Sequence, residues 1–421
     1  MPAMNTFTYE SPRSTIGIRH AQDRLRNPRV PVMTKIESVE FVRLYPITFK
    51  ESWGKDSIWP GSPPCFIVRI TAENGVYGIG EIASQPWYLG ETAEQLAANL
   101  KLYAERLKGE DPSNIRAAHR TMEMALSGGM PGGRGARSGI DMALHDLLGK
   151  LWGVPVSTLL GGARRSRIDL MTNLYHKTPD AMAKASASFV AEGFRALKIK
   201  VGDVIWRDGV NTRSIVEETS FLEAALSVVP REIMIDADAN QAWNNPGLTV
   251  SRLSKFASFE NLSIEQPLHY ANIEGHREIR QRCPVPVILD ESVWSPEAAQ
   301  QLVRSGACDR VVLKINRVGG FQPAQEVITV CEAAGVSVSV DTNPYTLVGD
   351  TAICHLGAIT RDHYPICADG HTTFIKISDP GAITGGVRLS NGHAQMPDAP
   401  GIGVDVDWKR LEAMSALGEP A

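Results

Sequence analysis

From residue 34 the chain alternates apolar and polar positions in three runs, KIESVEFVRLY, CFIVRITAENG and VYGIGEIA, the period of strands with one buried face. The Asn74–Gly75 pair between the last two runs predicts a hairpin turn. The rhythm then changes. In ETAEQLAANLKLYAERLKG and SGIDMALHDLLGKLWG, apolar residues recur at spacings of three and four with glycine near each end, which predicts amphipathic helices. Residues 34–160 therefore form an α+β unit.

Beyond residue 167, short β-rich runs alternate with helical stretches: IDLMTNL, ALKIK, EIMIDAD, NLSIEQ, VPVILD, RVVLKI, VSVSVD and YPICAD. Repeated strand–helix units imply a parallel sheet, and eight of them in about 200 residues match a (β/α)8 barrel. The fold class is α/β, a TIM-like barrel over residues 161–385 with an α+β capping domain. Residues 1–33 are read as an N-terminal extension, and 386–421 as a segment that packs back on the cap.

Composition narrows the function. A chain of 421 residues, 43% hydrophobic, can bury a large core, and a net charge of −4 with pI near 6.2 argues against a nucleic-acid or anionic-membrane partner. A small metabolite is the expected partner. The six cysteines (65, 283, 308, 331, 354 and 367) show no CxxC spacing, so they indicate neither a zinc site nor a disulfide framework and suit a reducing cytoplasm. No apolar run reaches the ~18 residues that span a bilayer, and the first 33 residues lack the apolar middle of a secretory signal. Their arginine content suits either a transit peptide or a plain extension.

In a barrel of this kind the reacting groups lie at the C-terminal ends of the strands. Those ends supply Lys198, Lys200, Asp238, Asn240, Glu265, Asp290, Glu291, Lys314, Asp341 and Asp369. Asp238 to Glu265 is 27 residues and Glu265 to Asp290 is 25, about one strand–helix unit each, so three acids converge from consecutive strands. Such charges need a neutraliser. With no His or Cys in the set, a hard divalent cation fits: Mg2+, with Mn2+ as a substitute. The bland alternative is a solvated or lysine-paired rim.

ALKIK sends Lys198 and Lys200 out of one face of strand two, and Lys314 arrives from strand six on the opposite side of the ring. A carboxylate substrate held on the cation would sit between two amines. Burial, the cation and a second ammonium each disfavour the charged form, so a lysine here can serve as a base near pH 7.

ALKIK, DADANQAW, IEQP, ILDES and LKINRVGG resemble, in order and spacing, motifs of the muconate lactonizing enzyme branch of the enolase superfamily, in the mandelate racemase/muconate lactonizing enzyme family. The resemblance runs from about residue 35 to 385 and includes ALHDLLGK in the cap. It implies that Asp238, Glu265 and Asp290 bind Mg2+ and that Lys200 and Lys314 are the acid/base pair. Lys198 is then the accessory amine at the substrate carboxylate, and Asn240 and Glu291 orient the ligands. A homo-oligomer is also implied. Strand seven ends VSVDTN, without the histidine base of the mandelate racemase branch, and strand eight carries the single acid Asp369 where relatives acting on amino-acid derivatives carry two.

The cap loops ESWGKDSIWPG and SQPWYLGE offer Trp53, Lys55, Trp59, Trp87 and Tyr88 either as a substrate pocket or as cap core. Asp341 and Asp369 join them as candidate substrate contacts, and Tyr175 and His176 follow strand one. The glycine cluster SGGMPGGRG lacks the lysine that ends a phosphate-binding loop and reads as a plain loop. The expected reaction is removal of an α-proton from a carboxylate through an enediolate, giving isomerisation by a cycloisomerase, racemase or epimerase. Two alternatives remain open: a dehydratase using the same enediolate, and a barrel that binds without turnover.

Overall fold

A computed structural model describes residues 34–45, 64–126, 131–175, 178–202, 214–367 and 379–418. The three alternating runs form the antiparallel meander β1 (Ile36–Leu44), β2 (Cys65–Ala72) and β3 (Tyr77–Ala83). The turn between β2 and β3 is as expected: Gly75 sits at φ 80°, and the Val76 amide donates to Asn74 Oδ1 at 3.1 Å.

Helix Ala93–Leu107 starts with a capping box between Thr92 and Gln95 and buries Leu96, Leu100, Tyr103 and Leu107. Helix Arg134–Trp152 is buried along most of its length and ends at Gly153, φ 70°. It lies directly on β3. Gly80 permits that approach, because a Cβ there would stand 2.1 Å from the Gly139 carbonyl oxygen.

All eight β-rich runs become strands: β4 (Arg167–Leu174), β5 (Ala196–Lys200), β6 (Met234–Asp238), β7 (Leu262–Glu265), β8 (Val287–Leu289), β9 (Arg310–Leu313), β10 (Ser337–Val340) and β11 (Ile366–Cys367). They pair parallel in chain order, and β11 returns to β4 through Ile366↔Leu170 and Cys367↔Met171. The ring closes where Asp341 bridges Cys367 and the Thr342 amide donates to the Cys367 carbonyl at 3.0 Å. Apolar residues of the strands and the surrounding helices make the main core, and a smaller separate cluster joins Met171, Ala196, Ile288, Val312 and Cys367 of the strands.

Buried acids join cap to barrel. Glu81 on β3 accepts from the Thr346 and Gly349 amides, both at 2.8 Å, at the start of helix Leu347–Ile359. Asp141 accepts from the Phe321 amide at the start of helix Phe321–Ala333, and Asp146 accepts from Ile79 N at 2.8 Å and Ile402 N at 2.7 Å.

The chain after residue 385 divides its contacts between the two parts. β12 (His393–Gln395) adds antiparallel to β4 of the barrel, and helix Trp408–Ala416 lies against β1 of the cap, where the Arg69 guanidinium stands 4.2 Å from the Trp408 ring centre. Among the described residues no helix is long and apolar enough to cross a membrane.

Candidate active site

β5 carries both lysines into the barrel mouth, where Lys198 is 1% and Lys200 9% exposed. Lys198 Nζ donates to Glu265 Oε1 at 3.0 Å and to Asp341 Oδ2 at 2.9 Å. Lys200 Nζ donates to Asp238 Oδ2 and, at 3.0 Å, to Asn240 Oδ1, and lies 5.5 Å from the centre of the Tyr175 ring. Lys314, directly after β9, is 3.1 Å from Asp290 Oδ2 and 3.3 Å from Asp341 Oδ2. In the ring β5 and β9 are four strands apart by either route, so the two lysines approach from opposite walls.

The acids come from the strands between and beside them. Asp238 pairs in register with Glu265 across β6 and β7, and Asp290 follows β8. Carboxylate oxygens of Glu265, Asp290 and Asp341 all lie within 4.8 Å of one another. Asp238 is turned one strand over, toward Lys200 and the Asn240 amide, which donates to its Oδ1 at 2.9 Å.

Residues at positive φ shape the loops after β6 and β7, among them Asn240 at 40° and Gln266 at 37°. Such backbone is strained for a side chain other than glycine and persists where surrounding bonds hold it. Asn240 donates through Nδ2 to Glu291 Oε1 at 3.1 Å, and Gln266 Oε1 accepts the Asp290 amide at 2.9 Å while its Nε2 donates to Ser292 Oγ at 2.9 Å. The Arg317 guanidinium completes the frame. Its Nη2 donates to Asp290 Oδ1 at 2.5 Å and to the Asp290 carbonyl at 2.6 Å, and its Nε to the Val293 carbonyl at 3.0 Å.

Charge follows geometry. Burial alone would lower the Lys198 and Lys314 pKa values, but Asp341 and Glu265 beside the first, and Asp290 and Asp341 beside the second, outweigh it and hold both above the ordinary lysine range. Burial raises Asp290 and Asp341, yet Arg317 and Lys314 bring the first below the usual carboxylate range, and Lys198 and Lys314 do the same for the second. For Glu291, burial, then Asp290 and Asp238, outweigh the opposing pull of Arg317 and Lys314 and push it up to about 7.

The donor set suits a hard divalent cation. Glu265 Oε2, Asp290 Oδ2 and Glu291 Oε2 are buried without a directed hydrogen bond among the described residues, although ammonium groups stand 3.0 Å from the first and 3.1 Å from the second. Anionic oxygens left with open lone pairs in a dry mouth are the surroundings such an ion stabilises.

Of the residues expected at the site, Lys198, Lys200, Lys314, Asp238, Asn240, Glu265, Asp290, Glu291 and Asp341 meet at this mouth. Trp53, Lys55, Trp59, His176 and Asp369 lie outside the described residues, as do the side chains of Trp87 and Tyr88 in the short helix Pro86–Leu89. Sequence reasoning gave no part to Gln266 or Arg317, although both stand inside motifs it singled out, IEQP and LKINRVGG. The signal for Gln266 was a polar side chain directly after a buried-type strand end; Arg317, four residues beyond β9, carried no such signal.

Known proteins match the same architecture. The "Enolase C-terminal domain-like" family model matches residues 180–410, and the "Mandelate racemase / muconate lactonizing enzyme, N-terminal domain" model matches residues 61–161. The chain is 31% identical over 80% of its length to the hydrophobic dipeptide epimerase of Enterococcus faecalis, covering 90% of that protein. It is 30% identical over 84% of its length to the cis-3-hydroxy-L-proline dehydratase of Roseibium aggregatum, covering 89% of it, and 28% identical over 83% to muconate cycloisomerase 1 of Rhodococcus opacus, covering 90%. The crystal structure of the Enterococcus faecalis dipeptide epimerase complexed with Mg and the dipeptide L-Leu-L-Tyr superposes with a TM-score of 0.76 at 27% identity, covering 89% of this chain and 99% of that one. With both domain models matched and the fold shared, the chain belongs to the mandelate racemase/muconate lactonizing enzyme family of the enolase superfamily, in its muconate lactonizing enzyme-like branch.

Proposed function

We propose that this protein is a metal-dependent enzyme that removes the α-proton of a small carboxylate substrate and returns it, an isomerase of the racemase, epimerase or cycloisomerase type. The observation that carries the reading is the pair Lys200 and Lys314 on walls four strands apart, with acids between them. Asp238, Glu265 and Asp290 hold the cation, Mg2+ or Mn2+, with Asn240 and Glu291 orienting them. When bound, the cation supplies positive charge where the substrate carboxylate gains negative charge.

The chain's own groups do the rest. Lys198 donates to the substrate carboxylate and fixes its plane. Lys200 takes the proton from Cα on one face, leaving an enediolate, and Lys314 delivers a proton to the other face. With Asp290 committed to a cation, its pull on the Lys314 ammonium weakens, and that lysine moves toward the neutral form a base requires. Asp341 stays as the counter-charge shared by Lys198 and Lys314, with Asp369, Trp53, Trp59, Trp87 and Tyr88 as further candidate substrate contacts. The six free cysteines support a cytoplasmic setting, and a homo-oligomer follows the family expectation.

A second reading is a dehydratase, in which Lys314 or Lys200 protonates a departing β-hydroxyl; the Roseibium aggregatum relative favours it. Solvent deuterium exchange into dipeptides, N-succinyl amino acids, hydroxyprolines and muconates with Mg2+ tests both. Exchange at Cα should fall ~10²-fold or more in Lys200→Ala and in Lys314→Ala. Near-normal exchange in both variants would remove the lysines from the mechanism, and loss of water from an exchanging substrate would select the dehydratase.

A further inference from the structure

The segment that follows β10 carries a buried amide toward the barrel mouth. Asp341 faces inward, where it accepts from Lys198 Nζ at 2.9 Å. Thr342 faces the other way: its hydroxyl lies 3.3 Å from Asp350 Oδ1 on helix Leu347–Ile359, while its amide continues the ladder to the Cys367 carbonyl. Side chains alternate along extended backbone, and the following Pro344 biases Asn343 toward that conformation. Asn343 therefore points inward again, about 7 Å nearer the cap than Asp341.

There it meets the cap. Asn343 is 2% exposed, and its Nδ2 donates to Oε1 of the equally buried Gln85, in the loop that follows β3. Its Oδ1 is buried and accepts no hydrogen bond among the described residues. An amide oxygen withdrawn from water and left unpaired is costly. Nor can the group swing away easily. The Asn343 carbonyl accepts from Thr342 Oγ1 at 2.5 Å and from the Tyr345 amide at 2.6 Å, and Glu81 of the cap holds the Thr346 amide and hydroxyl at 2.8 and 2.7 Å. A fixed acceptor without a donor, close to the reacting lysines, complements a donor carried by the substrate.

We propose that Asn343 is a specificity-determining residue whose Oδ1 accepts a hydrogen bond from the substituent on the substrate Cα. The substrate class is then a carboxylate bearing an N–H or O–H at the α-position: an α-amino, α-acylamino or α-hydroxy acid. This rests on the reading above, in which the carboxylate lies on the cation and Cα between Lys200 and Lys314. With the carboxylate held by the cation and Lys198, the α-substituent extends away from them toward the cap, where Asn343 stands. An unsaturated diacid has no such hydrogen, would leave the amide unpaired, and is disfavoured.

Calorimetric titration of the full chain with Mg2+ present tests this on paired probes: L-alanyl-L-leucine and L-alanyl-N-methyl-L-leucine, N-succinyl-L-leucine and its N-methyl analogue, and mandelate and O-methylmandelate. In at least one pair the donor-bearing member should bind about 10²-fold or more tighter, and that pair identifies whether N–H or O–H is read. In Asn343→Leu the ratio should fall to within about threefold, whereas loss of structure alone would weaken both members alike. Asn343→Ser, smaller and still polar, should lose the ratio too and serves if the leucine variant has a lowered thermal midpoint. Equal affinity within every pair, an unchanged ratio in both variants, tighter binding of cis,cis-muconate than of any donor-bearing probe, or saturable binding of none overturns the assignment. Deuterium exchange at Cα reads the lysine chemistry separately: a donor preference without exchange would refute that chemistry and keep this assignment, and exchange without a preference would do the reverse.

Discussion

Arg317→Lys keeps the charge and removes the fork. Among its contacts with described residues the guanidinium makes two from Nη2 to Asp290, at 2.5 and 2.6 Å, and one from Nε to the Val293 carbonyl at 3.0 Å. A lysine ammonium at this fully enclosed place reaches at most one of these acceptors well. Hydrogen bonds to charged groups are worth about 1.5–3 kcal/mol each, so the variant loses several kcal/mol of orienting interaction, part of it recovered by water. What Asp290 loses is direction. If Asp290 is one of the acids that hold the cation, loosening such a supporting contact should weaken metal affinity by about 10- to 100-fold. Calorimetric titration with Mn2+, and then Mg2+, reads the dissociation constants, and thermal melting without metal reads the fold separately. A metal affinity within twofold of the parent would refute the reasoning. If only the melting temperature fell, Arg317 would be a brace for the loop after β8 and nothing more.

Two further outcomes concern stability. His355 is fully enclosed, its Nδ1 accepting the Ser157 amide at 3.1 Å and its Nε2–H donating to the Ile402 carbonyl at 3.0 Å, and burial lowers its pKa from 6.5 to about 4. The folded pKa lies below the unfolded one, so this contribution is complete above pH 6.5 and is lost as pH falls toward 4, by about 3 kcal/mol. Urea midpoints across that range should show a slope that His355→Gln reduces, the buried His276 ring, also lowered to about 4, supplying a similar share; an unchanged slope would mean the His355 ring is protonated in place. Gly80→Ala puts a Cβ 2.1 Å from the Gly139 carbonyl oxygen and 2.8 Å from Met142 Cβ, which should destabilise the cap by about 1–3 kcal/mol. A midpoint equal to the parent's would show that β3 and its helix can separate freely.

The order of elements was legible because each barrel strand is flanked by its own helix, and local period decides which is which. The polar residue at the end of each β-rich run named most of the mouth in advance. Asp341 shows where that reasoning stops. Read along the chain it is one strand-end acid among several; in the fold it accepts both Lys198 and Lys314 and gathers with Glu265 and Asp290. Asp238 moves the opposite way, its carboxylate taken by Lys200 and the Asn240 amide.

The sequence by itself determined the strands, the facing of their side chains and the chemistry of their ends, because these depend on neighbours two to four residues apart. Only the tertiary structure decided which charges compensate which. Arg317 and Asp290 are 27 residues apart, Lys198 and Asp341 are 143, and Asp141 and the helix it caps are 180. Electrostatic energy depends on separation and burial in space, and neither is encoded in the local rhythm of the chain.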